Sequence, residues 1–147
     1  MVAHALHYKQ IYSYLGVLES LSGLDVDVEF ISVNHSIPAA CAIALHTEVG
    51  TILFTGDFKV DYTPIDGVHM DLQRLGELGK QGVLAMLSDS TNVERSGYTM
   101  SEVTIRETFK KVFSEAEGRI CVATFASNLH RVQQVFDAAE YHKKKIF

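Results

Sequence analysis

Cysteine is scarce in this chain, and the two present, Cys41 and Cys121, both lie inside apolar runs. That is the setting of a buried free thiol. No CxxC spacing occurs, which argues against a cysteine zinc site, and the usage fits a reducing cytosol. Basic charge is also lacking: the net charge is −5, so composition carries no footprint for nucleic acid, although a local groove can be basic on an acidic protein. Long apolar runs are absent too. No stretch approaches the roughly 18 residues of a membrane span. Met1 to Tyr14 has aromatic and histidine side chains but no continuous apolar core of the signal-peptide kind. The expectation is a cytoplasmic protein that does not engage a membrane. There are no internal repeats and no low-complexity segment.

What is present suits one globular unit. The 147 residues are 47% hydrophobic and 21% charged, enough chain to bury a core and ordinary in balance. Apolar residues at Ile11, Tyr14, Leu15, Leu18 and Leu21 have helical spacing, with Gly23 as a stop. Val26 to Val33 alternates, placing Val26, Val28 and Phe30 on one face of a half-buried strand and Asp25, Asp27 and Glu29 on the other. Ala40–His46 and Thr51–Thr55 flank Thr47-Glu48-Val49-Gly50 and predict a hairpin. Leu72, Leu75 and Leu78 predict a short helix ending near Gly79. Val83–Leu87 predicts a brief buried strand. Thr99 and Glu102 have capping-box spacing ahead of a helical stripe of Ile105, Phe109, Val112, Phe113 and Ala116, which Gly118 can close. Ile120–Phe125 predicts a strand, Leu129 to Ala139 a second helix, and Lys145-Ile146-Phe147 the opening of a further strand. The last fifty residues therefore read as a parallel α/β layer.

Two motifs place a metal-competent side chain just past an apolar run: Asn34-His35-Ser36-Ile37-Pro38 and Thr55-Gly56-Asp57-Phe58-Lys59. A lone loop histidine is ordinarily a surface residue, and Gly-Asp is common turn chemistry. Taken together, an imidazole and a carboxylate at neighbouring strand ends are ligands that Zn²⁺ accepts, and a metal pair can activate water against a phosphodiester. Asp89 is a third strand-end acid. It either caps the following turn or orients a histidine near a metal. Ser127 and Asn128 open a helix with His130 and Arg131 in its first turn, which is a plain N-cap or an RNA-backbone contact through free amides. His4 and His7 could share a helical face but have no acid partner, and His46, His69 and His142 show no constellation.

Asn34 to Pro38, Thr55 to Lys59, Ser88-Asp89-Ser90-Thr91-Asn92 and Ala123-Thr124-Phe125-Ala126-Ser127-Asn128-Leu129-His130-Arg131-Val132-Gln133-Gln134 resemble bacterial ribonuclease J, of the β-CASP branch of the metallo-β-lactamase superfamily. The resemblance runs from about Val26 to Phe147, with the four motifs in order. It implies an α/β fold: a partial metallo-β-lactamase αββα sandwich over residues 1–99, with 1–25 unassigned, then the start of a β-CASP α/β domain over 100–147. It implies His35 as a terminal zinc ligand, Asp57 as the carboxylate bridging two zinc ions, and Asp89 as the acid supporting a histidine general acid. It further implies RNA as substrate, cleaved 5′ to 3′ and internally, Mn²⁺ as an alternative ion, and a dimeric or tetrameric parent.

The sequence departs from the pattern in three ways. No two histidines have the His-x-His spacing of the family's hallmark cluster, and the later histidines that complete the site are absent. Ala39 also stands where the family usually has an acidic residue. The expectation is a ribonuclease piece that is nearly inactive alone. The alternative is a non-catalytic RNA-binding or subunit-assembly module. A small-molecule hydrolase of the same superfamily fits the Ser88–Asn92 and Ser127–Gln134 runs poorly.

Overall fold

The computed structural model describes Gly23 and residues 26–147. The helix expected over Ile11–Leu21, and His4 and His7, lie outside the described residues. Four strands form one sheet in the order β1 (Asp27–Ser32), β2 (Cys41–Thr47), β3 (Gly50–Phe54), β4 (Val83–Leu87). β1, β2 and β3 are an antiparallel meander. β4 joins parallel to β3 after a crossover that contains helix α1 (Leu72–Gln81). The expected hairpin forms: Thr47 Oγ1 donates to Gly50 O at 2.7 Å, and Gly50 has a φ of +140°.

α1 begins where Asp71 caps the Arg74 amide at 2.9 Å and runs past Gly79 to Gly82, whose φ of +98° ends it. Its Leu75 and Leu78 pack on Ile31, Val33, Ala40, Ala42, Ala44 and Leu53. The small Ala42 and Ala44 let the helix approach closely. This settles which strand face is inside, and it corrects the expected one. Ile31 and Val33 are buried, whereas Phe30 is 40% exposed. Glu29 shares the helix-covered side, where Arg74 binds it through Nε at 2.6 Å and Nη2 at 3.0 Å. β4 is a second correction: only Val83 packs toward the core, and Leu84 to Leu87 are exposed at the sheet edge.

Two more helices follow, α2 (Val103–Glu115) and α3 (Leu129–Tyr141). They meet through Phe113, Ala138 and Ala139, with Phe109, Ile120 and Val135 around them. The capping box does not form. Glu102 is the N-cap residue, yet its carboxylate makes no cap bond and pairs with Arg131 instead. Ile120–Phe125 has no regular secondary structure and pairs with no described strand, so the expected strand is absent there, as it is at Lys145–Phe147. Cys121 in that segment is exposed and Cys41 half-buried, against the buried setting expected for both, and neither forms a disulfide among the described residues.

Candidate metal and nucleic-acid site

The site is built where β1 and β3 end. After β1, Asn34 forms an antiparallel bridge with Lys59, and the Lys59 amide donates to Asn34 O at 2.9 Å. This one bridge draws the His35 loop against the Asp57 loop. Asn34 is buried, and its side chain fixes a third segment, donating to Val68 O at 2.6 Å and accepting from the Met70 amide at 3.1 Å. A buried amide with both ends satisfied holds one geometry.

His35 Nε2 and Asp57 Oδ2 stand 3.9 Å apart. Two metal bonds of about 2.1 Å each span up to about 4 Å, so both atoms can reach one Zn²⁺. The Asp57 side chain is 75% exposed, open to a ligand. Gly56 turns the chain there with a φ of +59°. Asp89 arrives from β4: its amide donates to Thr55 Oγ1 at 3.0 Å, and the Thr55 amide donates to Leu87 O at 3.0 Å. The Asp89 carboxyl is held below its ordinary range by the hydroxyl and amide of Thr91, the Phe58 amide and the nearby His35. Asp89 therefore closes its own turn, with the Phe58 amide and His35 nearby. Among the described residues, no group of three or more His, Cys, Asp or Glu side chains could hold a metal ion. The donors fit a zinc site in kind and spacing, as part of a ligand set.

The first turn of α3 lies against the same loops. The His130 amide reaches Ser36 O at 3.4 Å, and His130 Nε2 is 3.8 Å from Asp66 Oδ2. Burial pushes the His130 imidazole down, against the pull of Asp66 and Glu102. A cavity of about 30 Å³ lies here, lined by His35, Lys59, Asp61, Asp66, Glu102 and His130 among others, room for about one water. Asn128 caps α3, accepting from the Arg131 amide at 3.0 Å. Arg131 donates to Glu102 Oε2 through Nη2 at 2.8 Å and Nε at 3.2 Å. Ser127 is exposed. The four sequence candidates thus gather at one helix end, and three of them already have partners within the chain.

Sequence reasoning missed the groups that tie these parts together. Asp61 is buried; burial raises its carboxyl, but bonds from Thr63 and Ser101 and the Lys59 charge bring it below its ordinary value on balance. At the other end of the sheet, His46, expected to have no constellation, bonds Glu29 Oε2 at 2.8 Å and Thr51 Oγ1 at 3.1 Å. The signal was the two-residue hairpin loop, which sets His46 opposite Thr51.

Residues 117–147 match the family model of the ribonuclease J β-CASP domain. Curated relatives extend the likeness. Ribonuclease J of Synechocystis is 49% identical over 119 residues, covering 81% of this chain and 19% of the relative. That of Helicobacter pylori strain J99 is 43% identical over 141 residues, 94% of this chain and 20% of the relative. This chain resembles a segment of ribonuclease J. The Thermus thermophilus ribonuclease J adds 44% identity over 119 residues, 81% of this chain and 21% of that protein. The chain spans about a fifth of the length of these ribonuclease J relatives. Residues 1–69 also match the model of the lacto-N-biose phosphorylase central domain. The ribonuclease J of Helicobacter pylori aligns with 94% of the chain, so the two likenesses overlap there. The His35 and Asp57 motifs of that span carry the resemblance to ribonuclease J. The α/β class is the one that resemblance implies: a sheet with a helix on one face, then a helix pair.

Proposed function

We propose that this chain is part of a metal-dependent ribonuclease that hydrolyses RNA phosphodiester bonds, and that alone it is catalytically incomplete. The approach of His35 to Asp57 at 3.9 Å, in a chain 43–49% identical to segments of ribonucleases J, carries the reading. Residues 1–99 are the sandwich part, with 1–25 unassigned, and residues 100–147 begin the β-CASP part. His35 and Asp57 would hold zinc, with Mn²⁺ as the alternative ion. A divalent ion there supplies an activated water and neutralises phosphate charge. Asp89 orients the neighbouring groups, and Ser127, Asn128, His130 and Arg131 at the α3 N-terminus face the RNA backbone, where the helix dipole favours phosphate. The parent enzyme acts in the cytoplasm as a dimer or tetramer, as a 5′ to 3′ exonuclease and an endonuclease.

Two donors without a third among the described residues make a weak site, since affinity depends on ligand number and geometry. Purified chain with Zn²⁺ or Mn²⁺ should therefore show no appreciable RNA turnover. Robust cleavage that disappears in Asp57→Ala would overturn the incompleteness. The nuclease assignment itself is tested by exchanging the matching segment of the Synechocystis ribonuclease J for this one. A folded chimera should cleave RNA and lose that activity on Asp57→Ala. A folded chimera without activity would sink the assignment. The second reading, a non-catalytic RNA-binding or assembly module, is favoured by the lack of a three-donor group among the described residues. It expects RNA binding by the chain with a steep salt dependence and no turnover in either context.

A further inference from the structure

We propose that Glu102 is a positioning residue that clamps the first turn of α3 to the loop bearing Asp57. Its two carboxylate oxygens face two cations from different parts of the fold. Oε2 takes the two Arg131 donors, and Oε1 stands 3.9 Å from Lys59 Nζ. Lys59 lies two residues after Asp57 and is itself the bridge partner of Asn34. Gln134, one turn further along α3, donates to Glu102 O at 3.1 Å, so backbone and side chain of one residue hold the same helix. The side chains of Glu102, Lys59 and Arg131 are 16%, 18% and 25% exposed. Charges this far from water are weakly screened and costly to strip of a partner.

The clamp is asymmetric. Without Glu102, Lys59 keeps Asp61 at 3.4 Å and Met100 O at 3.5 Å, so the Asp57 loop stays seated. Arg131 keeps no other carboxylate partner among the described residues. The other end of α3 is fixed independently by Ala138 and Ala139 against Phe113. Removing the Glu102 carboxylate therefore loosens the near end of α3, which keeps the Gln134–Glu102 O and His130–Ser36 O bonds, and leaves His35 and Asp57 in place. Glu102 also gives up the capping role that its position offers, which is the cost of this longer-range contact. The functional consequence rests on the proposed RNA contact at α3; the clamp itself does not.

Two measurements test it. In the 147-residue chain, Glu102→Ala should lower hydrogen-exchange protection of the Arg131 and Val132 amides about ten-fold, the size expected for one charged hydrogen bond. Glu102→Gln, which keeps an acceptor, should lose less, and β2 and β3 should be unchanged. Unaltered protection in α3, or an equal loss across the sheet, overturns the clamp. In the Synechocystis chimera, Glu102→Ala should raise KM for RNA about ten-fold, the same bond lost from RNA positioning, with kcat and the metal needed for half-activation unchanged. A fall in kcat at constant KM means lost folded enzyme and overturns positioning. An inactive parental chimera counts against the nuclease assignment alone, and the exchange result then decides the clamp.

Discussion

The pairing of Glu29 with Arg74 makes the stability of the sheet–helix half depend on acid in a definite way. Glu29 receives Arg74 Nε at 2.6 Å and Nη2 at 3.0 Å, and His46 Nε2 lies at 2.8 Å. Chiefly through the Arg74 bonds, its carboxyl is held at about 2 against an ordinary 4.5. Such a displacement corresponds to ~3 kcal/mol of preference for the charged form. The Glu29 side chain is 29% exposed, and water screening at such a site reduces the net gain to ~1–2 kcal/mol. The folded value lies below the unfolded one, so the stabilisation is complete above about pH 5 and is lost as pH falls through 4.5 toward 2. Urea unfolding followed by far-UV circular dichroism, on wild type and Glu29→Gln, reads this directly. The variant should be weaker by ~1–2 kcal/mol at neutral pH, a midpoint lower by about 1 M urea. The gap should close as pH approaches 2. Taking the difference between the two proteins cancels the other carboxylates, apart from Glu77, which shares Arg74 at 3.1 Å. A gap that stays constant down to low pH, or none at neutral pH, would refute the electrostatic account.

Three further outcomes are expected. Asn34→Ala leaves Val68 O and the Met70 amide without their partner in a part-buried place, costing ~1–3 kcal/mol; urea midpoints measure it, and no loss would show that water replaces the side chain. Gly56→Ala puts a Cβ at 3.2 Å from Cys41 O on a backbone with φ +59°, so a loss of ~1–2 kcal/mol is expected, together with weaker metal uptake by calorimetric titration; an unchanged midpoint would contradict the close approach. Asp89→Ala in the Synechocystis chimera should lower metal affinity or activity about 10- to 100-fold, and wild-type kinetics would confine Asp89 to its turn with Thr91.

Local features were legible in the sequence wherever local chemistry decides them. The Thr47–Gly50 turn, the meander strands and α1 follow from spacing and turn residues alone. The motifs around His35 and Asp57 also marked two loops that do meet. What failed depends on partners distant in the chain. The alternation of Val28, Glu29, Phe30 and Ile31 defines two faces, but not which one a helix covers; Arg74, 45 residues from Glu29, decides that. Thr99 and Glu102 had capping spacing, yet an arginine 29 residues away took the carboxylate. Ile120–Phe125 has strand composition, but a strand exists only through a ladder, and no described strand lies beside it. The partners of Lys59, Asp61 and Asp66 escaped notice because isolated charges in a loop carry no periodic signal.

The sheet's connectivity also sets an order of events. β1 to β3 are adjacent in sequence and joined by short connections, so they close at small entropic cost and early. β4 pairs only after the chain has traversed the Asp57 loop and α1. His35 and Asp57, at the ends of the meander, therefore come together first, before β4 delivers Asp89 and before α3 docks. In a chain growing from its N-terminus, His35 and Asp57 can meet while Asp89 and α3 are still to come.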